Sequence, residues 1–160
     1  MKPLRLYLDT TVWNFVFADD APVLRQHTLE FFKFLQAGRY VPHISRVVGD
    51  EVADAPTRRK EELRNLMKTV SPVYLADRDE VDRLSKLYIS RGVLTPKSKA
   101  DSQHLAFATY YEMDALISWN FKHLANITKR ERMMSVNISE GYFHPLDLIT
   151  PLEVLGDEKD

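Results

Sequence analysis

The sequence contains no cysteine, only five glycines among its 160 residues, and no apolar run longer than four residues. The first absence removes disulfide scaffolds, thiolate zinc sites, iron–sulfur clusters and cysteine nucleophiles together. The second leaves no Gly-rich phosphate loop, since neither G-x-G-x-x-G nor a Walker A pattern is present. The third excludes a membrane-spanning helix and the apolar stretch of a signal peptide. A cytoplasmic protein with no membrane partner is the simplest expectation. Strong charge of either sign is also missing: 22 Lys and Arg against 23 Asp and Glu give a net charge of −1. That removes the global field of a basic nucleic-acid binder. It leaves room for a nucleic-acid substrate, because an acidic pocket and a basic rim cancel in the sum.

What is present describes an ordinary globular protein, with 44% hydrophobic, 28% charged and 11% aromatic residues. A chain of this length can bury roughly 68–70% of its extended surface around a full core. No internal repeat, low-complexity stretch or long linker divides it, so residues 1–160 are expected to form one domain.

Leu4, Leu6 and Leu8 alternate with Arg5 and Tyr7, a period-two run that ends at Asp9. Asp20 and Pro22 mark a helix start, with Leu24, Thr28, Phe31, Phe32 and Leu35 at helical spacing and Gly38 as its stop. Tyr40 to Ser45 reads as a second strand, followed by a helix with Val47, Val48, Glu51 and Val52 that Pro56 ends. A charged helix runs from Thr57 to Lys68. Ser71 to Leu75 is a third strand, which Pro72 confines to an edge. Asp77 with Glu80 reads as a capping box for a helix that Gly92 closes. A helix from about Lys99 to Glu112 leads into a strand at Asp114 to Trp119. Leu146 to Ile149 forms a last strand. Thr150-Pro151-Leu152-Glu153 then has a cap, a proline at the first helical position and a glutamate three residues on. Strands alternating with helices predict an α/β fold with a central, mostly parallel sheet flanked by helices. In such a sheet the ligand crevice lies beyond the carboxyl ends of the strands.

Polar residues gather at those ends. Asp9 ends the first strand, Glu51 sits on the helix after the second, Asp101 opens the helix before the Asp114–Trp119 strand, and Asn120 follows it. Oxygen ligands converging from several strand ends suit a hard divalent cation such as Mg²⁺ or Mn²⁺. Without one, clustered carboxylates repel. Asp9 and Asp101 equally suit a simpler role as helix caps or first-turn acids, and residue pattern alone does not separate the two readings.

Four short runs carry a family resemblance. L-Y-L-D-T-T-V at Leu6–Val12, I-S-R-V-V-G-D-E-V at Ile44–Val52, A-D-S-Q-H-L-A-F-A at Ala100–Ala108 and A-L-I-S-W-N-F-K-H at Ala115–His123 occur in the order expected of a PIN domain. With the tail from Gly141 to Leu155, the resemblance covers nearly the whole chain. It is strongest to the PIN-domain toxin ribonucleases of bacterial and archaeal toxin–antitoxin pairs. The resemblance implies a three-layer PIN-like fold and an endoribonuclease that uses Mg²⁺ or Mn²⁺ to hydrolyse RNA phosphodiester bonds. Asp9, Glu51 and Asp101 match the metal-binding acids, and Thr10 and Thr11 match the neighbouring hydroxyls that orient the site or meet substrate. Asn120 stands where many members have a fourth aspartate, a departure that weakens the case for two metal ions. Lys122 and His123, directly after it, are candidate phosphate contacts. An RNA substrate, a cognate antitoxin and a homodimer are the implied partners.

Other features have two readings each. His104 shares a helix face with Asp101, either tuning the site or serving as a core histidine bonded to a neighbour. The basic runs Arg58-Arg59-Lys60 and Lys129-Arg130 with Arg132 suit an RNA backbone or a solvated face. Trp13, Phe15 and Phe17 suit base stacking, a dimer contact or the core. Two rival functions stand beside the ribonuclease. One is an aspartate-dependent phosphohydrolase, which usually needs a second aspartate where Thr11 sits. The other is a non-catalytic PIN-like module that binds RNA or protein.

Overall fold

The strand foreshadowed by the Leu4, Leu6, Leu8 alternation forms, but it buries both of its faces. In the computed structural model, which describes residues 2–120 and 122–159, β1 (Leu4–Leu8) exposes Leu4 and Arg5 while Leu6, Tyr7 and Leu8 are all buried. Residue order along the sheet explains this. The strands β2 (Tyr40–Ser45), β3 (Val73–Leu75), β4 (Ala115–Ile117) and β5 (Asp147–Ile149) assemble with β1 in the order β3-β2-β1-β4-β5. Every pairing is parallel, with Tyr7 opposite His43 on one side and Leu116 on the other. A central strand of a parallel sheet carries helices over both faces, so it has no polar side to show. The strand at the Pro72 end is an edge, as a proline requires.

Helices supply the outer layers: α1 (Thr10–Phe15), α2 (Pro22–Gln36), α3 (Arg46–Ala53), α4 (Thr57–Val70), α5 (Asp79–Ser90), α6 (Lys99–Tyr110), α7 (Ile127–Ser139) and α8 (Pro151–Lys159). None of the helices among the described residues is long and apolar enough to cross a membrane. The expected caps hold at three ends. Gly38 closes α2 with φ +75 and Gly92 closes α5 with φ +74, the left-handed position that glycine adopts without strain. At α8 the Thr150 amide donates to Glu153 Oε1 and the Glu153 amide donates to Thr150 Oγ1, both at 3.3 Å, which completes the capping box.

Elsewhere local pattern misleads. Asp77 does not cap α5, whose N-cap is Arg78 with no side-chain cap. The Asp77 carboxylate instead takes Arg46 Nε at 3.2 and 3.3 Å, while Asp79, Glu80 and Asp82 face the positive end of the helix. Of the three readings open for Trp13, Phe15 and Phe17, which lie on and just past the six-residue α1, the core is the one that Trp13 meets, fully buried and T-shaped against Phe32. Trp13 is therefore a core residue, available neither for stacking a base nor for a dimer contact. The helix α7 has no counterpart in the sequence reading, because its apolar residues are split between an inner face with Met133 and Val136 and an exposed one with Ile127, Met134 and Ile138, which blurs the helical period.

A charged clasp ties α5 to the turn after α7. Arg83 grips Glu80 at 2.6 and 2.9 Å and Glu140 at 2.7 Å, and the Tyr142 hydroxyl donates to Glu80. The Arg83 hydrogen bonds, then that of Tyr142, pull the Glu80 carboxyl from about 4.5 down to about 2. A carboxyl depressed in the folded state stabilises above its unfolded value and loses that contribution as pH falls through its folded one. Glu80→Gln is thus expected to flatten the loss of stability between pH 4.5 and 2. The difference should be no more than about 1 kcal/mol, because the clasp is half in solvent. Urea melts of both proteins across that range check it.

Candidate functional site

The carboxyl ends of β1, β2 and β4 lie side by side, and each delivers polar groups to the same rim. At the end of β1 the chain turns straight into α1, and Asp9 is the N-cap of that helix. Its Oδ1 accepts from the Val12 amide at 3.3 Å and the Thr11 hydroxyl at 2.5 Å, and its Oδ2 accepts from the Ser118 hydroxyl at 2.5 Å. Asp9 is only 1% exposed. It is a cap in plain fact, and still a carboxylate placed at the crevice.

Helix α3 starts at the end of β2, where Ser45 Oγ accepts from the Val47 amide at 3.2 Å. Glu51 lies more than one turn along it. Glu51 Oε1 accepts from the Thr10 hydroxyl and from His104, both at 2.8 Å. Thr10 and Thr11 therefore spend their protons on Glu51 and Asp9, and the Thr11 oxygen also accepts from the Trp119 amide. Both hydroxyls orient acids, which leaves neither proton for a substrate. His104 is buried, as a core histidine bonded to its neighbours.

Asp101 lies in the first turn of α6 and meets Asn120 beyond β4. Asn120 Nδ2 donates to Asp101 Oδ2 at 3.0 Å, while Asn120 Oδ1 accepts from the His123 amide at 3.1 Å. Its orientation follows from its partners: a carboxylate only accepts and a backbone N–H only donates. The amide oxygen thus faces the loop, and Asn120 serves as a holder of Asp101 rather than as a fourth oxygen corner.

Burial acts on all three acids. Desolvation raises the Asp9 carboxyl, against its hydrogen bonds to Ser118, Thr11 and Val12. Desolvation also raises Asp101, reinforced by the charges of Asp9 and Glu51. For Glu51, desolvation pushes up, but the hydrogen bonds from His104 and Thr10 outweigh it, and the carboxyl ends below its ordinary value. Perturbed acids at a crevice make this rim the candidate functional site.

Among the described residues no group of three or more His, Asp or Glu side chains is placed to hold a metal ion. The chemistry of the donors nevertheless fits a hard cation. All are carboxylate oxygens, two belong to acids destabilised by burial, and Glu51 Oε2 and Asp101 Oδ1 accept no hydrogen bond from the described residues. Two hollows adjoin the acids. Glu51 lines a groove of about 780 Å³ with Asn14, Phe17, Arg25, Arg58 and Arg59. Asp101 lines another of about 390 Å³ with Thr95, Lys97, Ser98, Lys122 and His123. Lys122 and His123, expected beside phosphate, therefore share a wall with Asp101.

Three residues of the basic runs are tied to the fold. Lys129 donates to the Val93 carbonyl, Arg130 faces Asp147 at 3.5 Å, and Arg59 donates to the Phe17 carbonyl with its guanidinium over the Phe17 ring. Three site residues escape sequence reasoning: Ser118, Ser45 and Tyr7. Ser118 was visible only as a small polar residue after an apolar triplet. Phe121, part of the same run, lies outside the described residues.

No protein-family model and no curated protein sequence matches the chain. Among solved structures, a chain of VapBC2 from Rickettsia felis, crystallised bound to a DNA fragment from their promoter, matches with a TM-score of 0.56 at 13% identity. The match covers 92% of this chain and 98% of that one, so it extends over the whole PIN-like fold.

Asn120→Asp should set a second carboxylate against Asp101 Oδ2 and remove the amide that donates to it. A stability loss of about 1–3 kcal/mol near neutral pH is expected. It should shrink as pH falls, because repulsion raises folded carboxyl values and protonation then favours the folded state. Thermal melts at pH 7.5 and 5 check this, with a larger gap at the higher pH.

Proposed function

We propose that the protein is a metal-dependent endoribonuclease of the PIN type, acting as the toxin of a toxin–antitoxin pair on single-stranded RNA. The observation that carries this reading is the gathering of Asp9, Glu51 and Asp101 at one rim of the sheet, where the charges of Asp9 and Glu51 act on Asp101 and two lysines and a histidine wall the hollow at Asp101. Likeness of fold to a chain of the R. felis VapBC2 assembly supports it, and that assembly's promoter DNA is consistent with an antitoxin partner that binds DNA.

Asp9, Glu51 and Asp101 are the residues that would hold Mg²⁺ or Mn²⁺. Such an ion, when bound, neutralises a phosphate and acidifies water. The chain's own residues do the rest. Thr10 and Thr11 hold Glu51 and Asp9 in place, Asn120 holds Asp101, and Lys97, Lys122 and His123 receive the phosphates of the strand. Asp9 is a poor covalent nucleophile, since both oxygens are engaged and the group is buried, which counts against the aspartyl-phosphate alternative. The lack of a ready three-ligand cluster among the described residues favours one competing reading, a PIN-like module that binds RNA or protein without cutting it.

Cleavage assays separate the two. The partner-free protein is expected to cut single-stranded RNA with Mg²⁺ or Mn²⁺ and to stop in chelator, and Asp9→Asn or Asp101→Asn should abolish cutting. Cleavage that persists in chelator overturns the metal mechanism, and RNA binding without any cleavage establishes the module.

Lys97→Ala with Lys122→Ala should raise KM while sparing kcat. It should also flatten the logarithmic salt dependence of RNA binding by about 0.7 for each lysine that meets a phosphate. An unchanged salt slope would place the strand elsewhere. Saturating Mn²⁺ at about 100 times its Kd should add about 2.7 kcal/mol to stability, readable as a rise in Tm.

A further inference from the structure

We propose that His104 is a positioning residue for Glu51, held in one tautomer by a one-way hydrogen-bond relay that begins at the N-cap of the helix carrying Glu51. Ser45 Oγ lies 2.7 Å from the Tyr7 hydroxyl, that hydroxyl lies 2.6 Å from His104 Nδ1, and His104 Nε2 lies 2.8 Å from Glu51 Oε1. Ser45 and Tyr7 show no exposed surface and His104 only 2%, so solvent provides no alternative partner.

The direction of each bond follows from counting donors. An ionised Glu51 only accepts, so His104 Nε2 must carry a proton and donate to it. With a neutral ring, Nδ1 is then an acceptor, and the Tyr7 hydroxyl must donate to it. The Tyr7 oxygen is left to accept, and Ser45 supplies that proton. Ser45 Oγ meanwhile accepts from the Val47 amide. Every donor and acceptor in the chain is used once. The reverse direction, with both ring nitrogens donating, sends the Tyr7 proton to Ser45. The buried Ser45 proton would then have no acceptor among the described residues, so the neutral arrangement is the satisfied one.

The relay makes Glu51 the product of one network at both ends. Ser45 starts the helix on which Glu51 rides, and through Tyr7 and His104 it also fixes the carboxylate head. With Oε1 committed to His104 and Thr10, Oε2 is the oxygen left for a cation or for water. Hydrogen bonds behind a ligating group commonly change metal affinity or activity 10- to 100-fold. This role rests on the proposed reading of Glu51 as a metal-holding acid, whereas the relay itself does not.

The test has one arm for each. In the metal-free full chain, long-range proton–nitrogen NMR should show His104 as a neutral ring protonated at Nε2. A ring protonated at Nδ1, or at both nitrogens, overturns the relay whether or not the protein cuts RNA. Tyr7→Phe keeps the ring and removes the Nδ1 donor. It should lower Mn²⁺ affinity by calorimetry about 10-fold and kcat by a similar factor, with KM for RNA unchanged. His104→Gln, which keeps an N–H for Glu51, should retain more activity than His104→Phe. Tyr7→Phe with wild-type Mn²⁺ affinity overturns the positioning role. A wild type with the expected tautomer that neither binds Mn²⁺ nor cuts RNA upholds the relay and overturns the cleavage reading alone.

Discussion

Burying the carboxylate at the end of the central strand is the constraint that the rest of the crevice answers. An ionised group 1% exposed is costly unless hydrogen bonds replace its lost water. Asp9 obtains them from three places: the Thr11 hydroxyl, the first turn of α1 through the Val12 amide, and Ser118 beyond β4. The abrupt strand-to-helix turn and the adjacency of β4 are both needed to supply these donors. The Thr11 oxygen, accepting from the Trp119 amide, ties the same turn to the segment that carries Asn120.

Around that anchor the acids divide. Asp9 is buried, with Oδ1 accepting twice and Oδ2 once, while Glu51 and Asp101 each have one oxygen tied back and one that no described residue claims. The tied oxygens fix geometry. The cost of the arrangement shows in the raised carboxyls of Asp9 and Asp101. Desolvation is the main cause in both, and a nearby positive charge would offset it by favouring the ionised form.

Basic residues are divided in a similar way. Runs that look alike in the sequence have different fates. Arg59 and Lys129 cap backbone carbonyls and hold loops to the body of the protein. Lys97 and Lys122 stand exposed on either side of the hollow at Asp101. Counting charges along the chain cannot distinguish them, since the distinction lies in which carbonyl or cavity each head group reaches.

Much of the architecture was legible in the sequence. The helix and strand periods, the Gly38 stop, the Thr150–Glu153 capping box and the edge position imposed by Pro72 are all local matters, decided within a few residues by backbone sterics and hydrogen bonding. The positions of Asp9, Glu51 and Asp101 were legible too: Asp9 stands at the junction of β1 and α1, while Glu51, more than one turn into α3, and Asp101, in the first turn of α6, follow from the alternation of strands and helices and from the family resemblance. Local pattern misjudged Asp77, whose partner Arg46 comes from a distant helix. What only the tertiary structure decided is the pairing of groups far apart in the chain: Asp9 with Ser118, Asp101 with Asn120, and Ser45, Tyr7 and His104 with Glu51. Strand order brings these groups together, and a hydrogen bond reaches only about 3 Å. No spacing within the sequence encodes a contact of that range across a sheet.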